Sequence, residues 1–277
     1  MALYVTSINS GSNGNCYYIG NDTEAVLIDA GISCRETERR MKLLNLDMGR
    51  VKAIFISHEH TDHIRGLASL TEKYALPVYV TTSTAKGCGK AIPKSMAKEF
   101  KAHEAISVGN LSITAFPKYH DAADPHSFIV SCNEITIGVF TDIGRVCQHL
   151  RSYFTKCSAA FLEANYDEQL LEKGSYPFYL KNRIRGGRGH LSNPEAVDIF
   201  IKYRAPHLSH LFLSHLSQEN NSEEIVRQLF NSHAGNTEIV IAGRHEPTAV
   251  YKIHGQINTK LQPAVQPFRR PVQMELF

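Results

Sequence analysis

The chain has 277 residues, 43% hydrophobic and 21% charged, the balance of a soluble globular protein with a substantial core. Its formal net charge of +3 is too small to argue nucleic-acid binding by itself, and no segment approaches the roughly 20 apolar residues of a membrane span. Met1-Ala2-Leu3-Tyr4-Val5-Thr6 lacks the basic start and apolar stretch of a signal peptide, and the six cysteines form no C-x-x-C pair, so the expectation is a cytoplasmic protein with reduced thiols and no membrane contact.

In chain order, Leu3 to Ile8 reads as a strand, followed by a polar loop from Asn9 to Asn15 rich in residues that tolerate positive φ. Cys16 to Ile19 and Ala25 to Ile28 read as two more strands, and a helix is expected from Cys34 to Asn45, with Ile32-Ser33 as its cap region. The apolar run Ala53-Ile54-Phe55-Ile56 is a buried strand by its β-branched and aromatic content.

Directly after it stands His58-Glu59-His60-Thr61-Asp62-His63. Neutral imidazole and carboxylate are the ligands that borderline cations such as Zn²⁺ or Mn²⁺ prefer. Two histidines at i and i+2 on a loop can point to one side and share a metal. Asp62 and His63 open a helix expected to run to Leu67, where unpaired N–H groups and the helix dipole favour a carboxylate. One short segment can therefore serve two metals, with the missing ligands supplied from elsewhere.

Strand-like Leu111 to Phe116 follows, and the second half shows helical stretches at about 143–157, 166–173, 193–203 and 222–231, separated by strands ending near Glu163, Leu213 and Ile241. Lys181, Arg183, Arg185 and Arg188 are interleaved with Gly186, Gly187 and Gly189 and lead into His190. Cationic side chains with open backbone N–H groups make a phosphate-gripping loop that positions a strand without reading bases. The last residues carry three prolines and no periodicity, so 1–260 is expected as the catalytic domain and 261–277 as a mobile tail.

The run at 58–63 resembles the signature of the metallo-β-lactamase fold superfamily, most of whose members are binuclear hydrolases, and the resemblance extends over nearly the whole chain. Val26-Leu27-Ile28-Asp29-Ala30-Gly31 looks like that family's strand ending in a buried Asp that braces the metal loop. Lys118-Tyr119-His120-Asp121 stands where the family places its third ligand histidine. Phe140-Thr141-Asp142-Ile143-Gly144 looks like its bridging aspartate, and Phe212-Leu213-Ser214-His215 like its last ligand histidine. The resemblance implies an α/β fold, a four-layer αββα sandwich, with the ligands at one edge of the sheets. It further implies two divalent metal ions, Zn or Mn. His58, His60 and His120 would hold one, Asp62, His63 and His215 the other, and Asp142 would bridge them. Two cations about 3.5–4 Å apart suit phosphoester hydrolysis.

Two segments narrow the branch. Gly189-His190-Leu191-Ser192 resembles the G-H-x-S element of the superfamily's nucleases, whose histidine lies beside the scissile phosphate. Phe161-Leu162-Glu163-Ala164-Asn165 resembles the segment whose Glu orients a site histidine; such a carboxylate raises an imidazole's pKa and fixes its tautomer. Asp62, His190 and Glu163 are thus the expected catalytic residues, and Lys181, Arg183, Arg185 and Arg188 the expected nucleic-acid contacts. His126, close after His120, could also line the site. With Ser10-Gly11-Ser12 and Gly14-Asn15-Cys16, the set looks most like the bacterial YycJ/WalJ-type branch, regarded as exonucleases that digest single-stranded DNA from the 5′ end.

Other readings stay open at this point. The same metal motifs would serve an RNA-processing enzyme of the ribonuclease Z type, although its protruding arm is not evident here, nor is a long β-CASP insertion between Asp142 and His190. A binding adaptor would have no need of a bridging Asp142, and a small-molecule hydrolase would leave the basic segment unexplained. Finally, Gln273-Met274-Glu275-Leu276-Phe277 resembles the peptide that docks bacterial replication and repair proteins on the DNA sliding clamp, with Met274, Leu276 and Phe277 as apolar anchors and Gln273 as the polar one. The implied partners are single-stranded DNA, or RNA, and the clamp.

Overall fold

The computed structural model describes residues 2–255. Gln273, Met274, Leu276 and Phe277, and the domain boundary at 260, lie outside the described residues. The first sheet contains β1 (Ala2–Asn9), β2 (Cys16–Gly20), β3 (Ala25–Ile28), β4 (Val51–Phe55), β5 (Val78–Val80) and β6 (Ala97–Glu99). The second contains β7 (Ala105–Val108), β8 (Leu111–Pro117), β9 (His126–Cys132), β10 (Ile135–Phe140), β11 (Ala159–Glu163), β12 (His210–Ser214) and β13 (Glu238–Ile241). A last strand, β14 (Tyr251–His254), returns to pair with β1 at the edge of the first sheet.

Each sheet is antiparallel in one part and parallel in the other. Strands β1 to β3 form a meander, then β3 to β6 run parallel. Likewise β7 to β10 are antiparallel and β10 to β13 parallel. Parallel neighbours need long crossovers, which are here helical. In the first half these are α1 (Cys34–Leu43), α2 (Thr61–Ile64), α3 (Leu67–Tyr74) and α4 (Thr82–Cys88). In the second they are α5 (Gln148–Phe154), α6 (Glu168–Lys173), α7 (Phe178–Arg185), α8 (Asn193–Tyr203) and α9 (Glu223–Asn231). The result is the αββα sandwich.

Three apolar clusters follow from this layering. One fills the space between the sheets, where Phe161 lies 4.8 Å from Tyr17 and 4.5 Å from Phe212, ring centre to ring centre. The others lie under the outer helices of each sheet. Strands β3 and β11 are buried along their whole length, as strands covered on both faces must be, which explains their unbroken apolar runs. Each large side chain fully buried here contributes about 1.5–3 kcal/mol.

Helix boundaries depart from expectation where the backbone is used by the site. The stretch at 143–157 is helical only from Gln148, because Ile143 N–H donates to Glu163 Oε2 (2.7 Å) and Gly144 N–H to Tyr119 O (2.6 Å). The helix expected from Asp62 to Leu67 is broken into α2 and α3, with Gly66 N–H given to Ala30 O at 2.8 Å. The cationic segment is not a loop throughout. It is helical to Arg185, started by Pro177 and seated by Leu180 and Ile184, one turn apart.

Candidate metal centre

The C-terminal ends of β3, β4, β8, β10, β11 and β12 lie on one edge of the sandwich, and the polar side chains that follow them meet there. Asp29, just after β3, organises the first group. Ser57 donates its N–H to Asp29 Oδ1 and its hydroxyl to Asp29 Oδ2, both at 2.8 Å. His63 Nδ1 donates to the same Oδ2 at 2.7 Å. With its hydroxyl proton committed, Ser57 Oγ accepts from His58 Nδ1 at 2.9 Å. Both imidazoles therefore carry hydrogen on Nδ1 and turn Nε2 into the site. Gly31 permits the close approach of this loop: a Cβ there would stand 1.7 Å from Asp62 O.

The second sheet supplies the rest. His120 Nδ1 donates to Gly189 O at 2.9 Å, leaving Nε2 inward, 3.8 Å from Asp142 Oδ1. Asp142 lies between the groups, with Oδ2 3.3 Å from His63 Nε2 and Oδ1 3.5 Å from His215 Nδ1. His215 Nε2 is 3.7 Å from Asp62 Oδ2. Asp29, Asp142 and His215 have φ of 63°, 54° and 57°. A left-handed conformation in such residues costs roughly 1–3 kcal/mol each and persists where surrounding bonds over-determine it. Those bonds are present: Asp29 N–H to Phe55 O, Lys118 Nζ to Thr141 O at 2.7 Å, and His215 N–H to Ser10 Oγ at 2.8 Å.

The donors fall into sets whose ligand atoms lie within 4.8 Å of one another: His58, His60 and His120; Asp62, His63 and His215; His58, His63 and Asp142; and Asp142, His215, Glu163 and His190. All seven residues expected as ligands are thus in one cluster. Their chemistry fits divalent cations. Buried Asp142 Oδ2 and His215 Nε2 have no hydrogen-bond partner. His58 Nε2 and His60 Nδ1 face each other at 3.1 Å, so a proton or a cation must sit between them. Asp29, Asp62, Asp142 and Glu163 crowd around a single buried lysine, Lys118, an excess of negative charge that the interior cannot tolerate uncompensated.

The titration behaviour expresses the same imbalance. Burial, then the neighbouring His63 and Lys118, press the His58 pKa well below its ordinary value, favouring the neutral form that binds metal. Burial also opposes charge on His63 and His215, but it is outweighed. Asp29, Asp142 and Asp62 hold the His63 pKa well above the usual range, and Asp142, Asp62 and Glu163 push that of His215 up to about 10. Protons on these rings supply positive charge that a cation would otherwise bring.

Beside this cluster stands His190. Its Nδ1 donates to Glu163 Oε1 at 2.8 Å, the same oxygen that accepts from His215 Nδ1 at 2.9 Å. Glu163 Oε2 accepts from Ile143 N–H and from Leu191 N–H at 3.1 Å. Burial opposes the Glu163 charge, yet His190 and His215 hold its pKa down to about 2. A permanent carboxylate thus fixes both tautomers, and His190, half-buried, presents Nε2 towards the cleft. That cleft, of about 230 Å³, is lined by Asn165, Tyr176, Arg183, His190, His215 and Ser217 among others.

Of the expected nucleic-acid contacts, Arg183 lines the cleft and ion-pairs with Asp121. Lys181 and Arg185 turn instead towards Glu172 of α6, and Arg188 is exposed, with no ion pair among the described residues. His126 Nδ1 donates to Asp124 O in its own loop at 2.9 Å, and its ring packs on Phe100, outside the ligand cluster. Two site residues escaped sequence reasoning. Asn15 Nδ2 lies 3.1 Å from His63 Nε2 and 3.3 Å from Asp62 Oδ2. Lys118 lies buried behind Asp142. Both act across the fold, which local spacing does not record.

Comparison with known proteins agrees with this geometry. Residues 24–215 match the Beta-lactamase superfamily domain. The chain is 33% identical over 230 residues to Exodeoxyribonuclease YycJ of Bacillus anthracis, covering 82% of this chain and 87% of that one. It is 31% identical over 222 residues to Exodeoxyribonuclease WalJ of Streptococcus pneumoniae, covering 78% and 82%. Among solved structures, the metallo-beta-lactamase fold protein YhfI of Bacillus subtilis superposes with a TM-score of 0.70 at 18% identity, covering 91% of this chain and all of that one.

Proposed function

Because the chain belongs to the metallo-β-lactamase superfamily, and within it to the family of YycJ and WalJ, we propose that it is a binuclear metal-dependent phosphodiesterase degrading single-stranded DNA from the 5′ end. It is an enzyme, a hydrolase of the nuclease class. The observation that carries the finer reading is the convergence of seven donors, with Asp142 Oδ2 and His215 Nε2 unpaired among them, beside a histidine that Glu163 orients.

In this reading His58, His60 and His120 would hold one cation, zinc or manganese, and Asp62, His63 and His215 the other, with Asp142 available to both. Such a pair, when bound, makes a water acidic enough to attack at neutral pH and neutralises phosphate oxygens in the transition state. The protein's own groups do the rest. Asp29 and Glu163 lock the tautomers of His63, His215 and His190. As an imidazolium, with its Nδ1–H held by Glu163, His190 gives its Nε2 proton to the leaving oxygen and becomes neutral, the role of a general acid. Asp62 combines metal holding with catalysis. Arg183 and Arg188 hold the phosphates that flank the cut.

The experiment uses the purified full chain with 5′- and 3′-labelled DNA and RNA single strands and added Mn²⁺ or Zn²⁺. Stepwise shortening of DNA from its 5′ end is expected. Faster cutting of RNA, or release from the 3′ end, would replace the substrate or the polarity. Two further parts of the reading rest on sequence. The tail residues Gln273, Met274, Leu276 and Phe277 dock on a DNA sliding clamp, and the protein works in the cytoplasm in DNA repair. The six free cysteines support the second, and no helix among the described residues is long and apolar enough to cross a membrane.

A further inference from the structure

Helix α7 carries a feature that neither the metal cluster nor the core accounts for. Phe178 and Tyr179 are 71% and 74% exposed, the most exposed large hydrophobic side chains among the described residues. They are consecutive on the first turn, directly after Pro177 and about 100° apart around the helix, while Leu180 and Ile184 seat the helix against the cleft. The rings are therefore not what holds α7 in place. Single exposed apolar residues are commonplace, but two consecutive exposed rings on a helix whose opposite face lines the cleft indicate something that covers them.

Helical spacing decides what lies next to each ring. Lys181 is three residues after Phe178, and Arg183 is four after Tyr179, so each aromatic shares a helix face with a cation. Arg183 in turn pairs with Asp121, whose Oδ1 lies 3.4 Å from His120 Nε2. At the other end of α7, His190 N–H donates to Ile184 O at 2.9 Å, and Gly189 fits only because a Cβ there would stand 2.1 Å from that oxygen. The aromatic turn, the cleft and His190 thus belong to one connected piece.

We propose that Phe178 and Tyr179 form a stacking platform for unpaired bases of a single nucleic-acid strand whose scissile phosphate lies at His190. The inference rests on the nuclease reading and specifies how the strand is recognised. Rings beside cations are the pattern by which single strands are held without sequence preference, the ring meeting a base face and the cation the backbone. A duplex keeps its bases stacked on each other and offers no free face, so the platform selects single strands. A protein partner fits less well, since the exposed neighbours on the helix (Asn182, Arg183 and Arg185) are polar, whereas the centre of a protein interface is depleted of charge.

The test uses full-length protein and a single strand with hydrolysis-resistant linkages and 2-aminopurine at successive positions from its end. Phe178→Ala and Tyr179→Ala should each weaken binding by about 5- to 100-fold and relieve fluorescence quenching at one position. Phe178→Leu and Tyr179→Leu should behave like the alanine variants, whereas tryptophan should restore binding. Turnover of methyl p-nitrophenyl phosphate, which has no base, should be unchanged in all of them. Unaltered affinity in the alanine variants, full replacement of the ring by leucine, or a change in oligomeric state as the sole effect would overturn the platform. If the strand is still degraded in those cases, the nuclease reading survives. If the unsubstituted protein binds no single strand, both fall.

Discussion

In the ligand loop Ser57, His58 and His63 are buried and pinned by hydrogen bonds among themselves and to Asp29, whereas between Tyr176 and Arg188 most side chains face water and the ion pairs run to half-buried Asp121 and exposed Glu172. In the proposed reading the first stretch holds ligand atoms to fractions of an ångström, and the bonds that Ser57 and His63 donate to Asp29 keep it in place. In the same reading the second accepts a strand of any sequence, and its charges are exchangeable. Chemistry is fixed in the interior, and grip is left on the surface.

Substitutions on the buried side should have the largest effects. Asp142→Ala should lose bound metal by elemental analysis and activity with it; unchanged stoichiometry and turnover would break the assignment of this cluster. Asp29→Ala, which touches no metal in this reading, should still cost roughly 10–100-fold in metal affinity, as loss of a group behind a ligand does.

His190 lies between the two regimes. His190→Ala should keep metals and thermal stability yet lose about 10²–10⁴ in rate. Glu163→Gln should behave otherwise, because an amide cannot accept from two imidazoles and two backbone N–H groups at once. A fall in melting temperature is expected, consistent with about 1–3 kcal/mol for buried donors left unpaired. If Glu163→Gln melts like the unsubstituted protein, the carboxylate is less embedded than its bonds indicate.

The smallest effects belong to the surface. Arg188→Gln should flatten the salt dependence of strand binding by up to about 0.7 in log–log slope, the value for one phosphate contact on a single strand. Arg183→Gln and Arg185→Gln should do less, since Asp121 and Glu172 already share those charges. Equal slopes in all three would erase the distinction between paired and unpaired cations. For the tail, a chain ending at Val272 should fail to capture a bacterial sliding clamp that the full chain captures; equal capture removes the clamp as a partner.

What was legible in the sequence follows the same division. Ligands at strand ends announce themselves, because an apolar run followed by His or Asp marks both the strand and the place where it stops. The αββα layering could be reached only through resemblance, since alternating strands and helices do not say that two sheets face each other. The segment from Lys181 to Gly189 reads as a loop in sequence because Gly186, Gly187 and Gly189 dominate its end, while the helix is seated only by Leu180 and Ile184. Residues 143–147 read as helix in sequence because nothing local shows that Ile143 and Gly144 give their N–H groups to Glu163 and Tyr119.

The ligand set is also divided between the sheets. His58, His60, Asp62 and His63 follow a strand of the first, and His120, Asp142 and His215 follow strands of the second. Neither proposed metal position has all its donors until the two sheets have closed on each other. A chain still emerging from its ribosome, with β1 to β6 paired and the second sheet incomplete, lacks the donors that complete the proposed site. Hydrolytic power arrives last, as a certificate that assembly is finished, and a half-built copy is harmless to the polymer it is made to destroy.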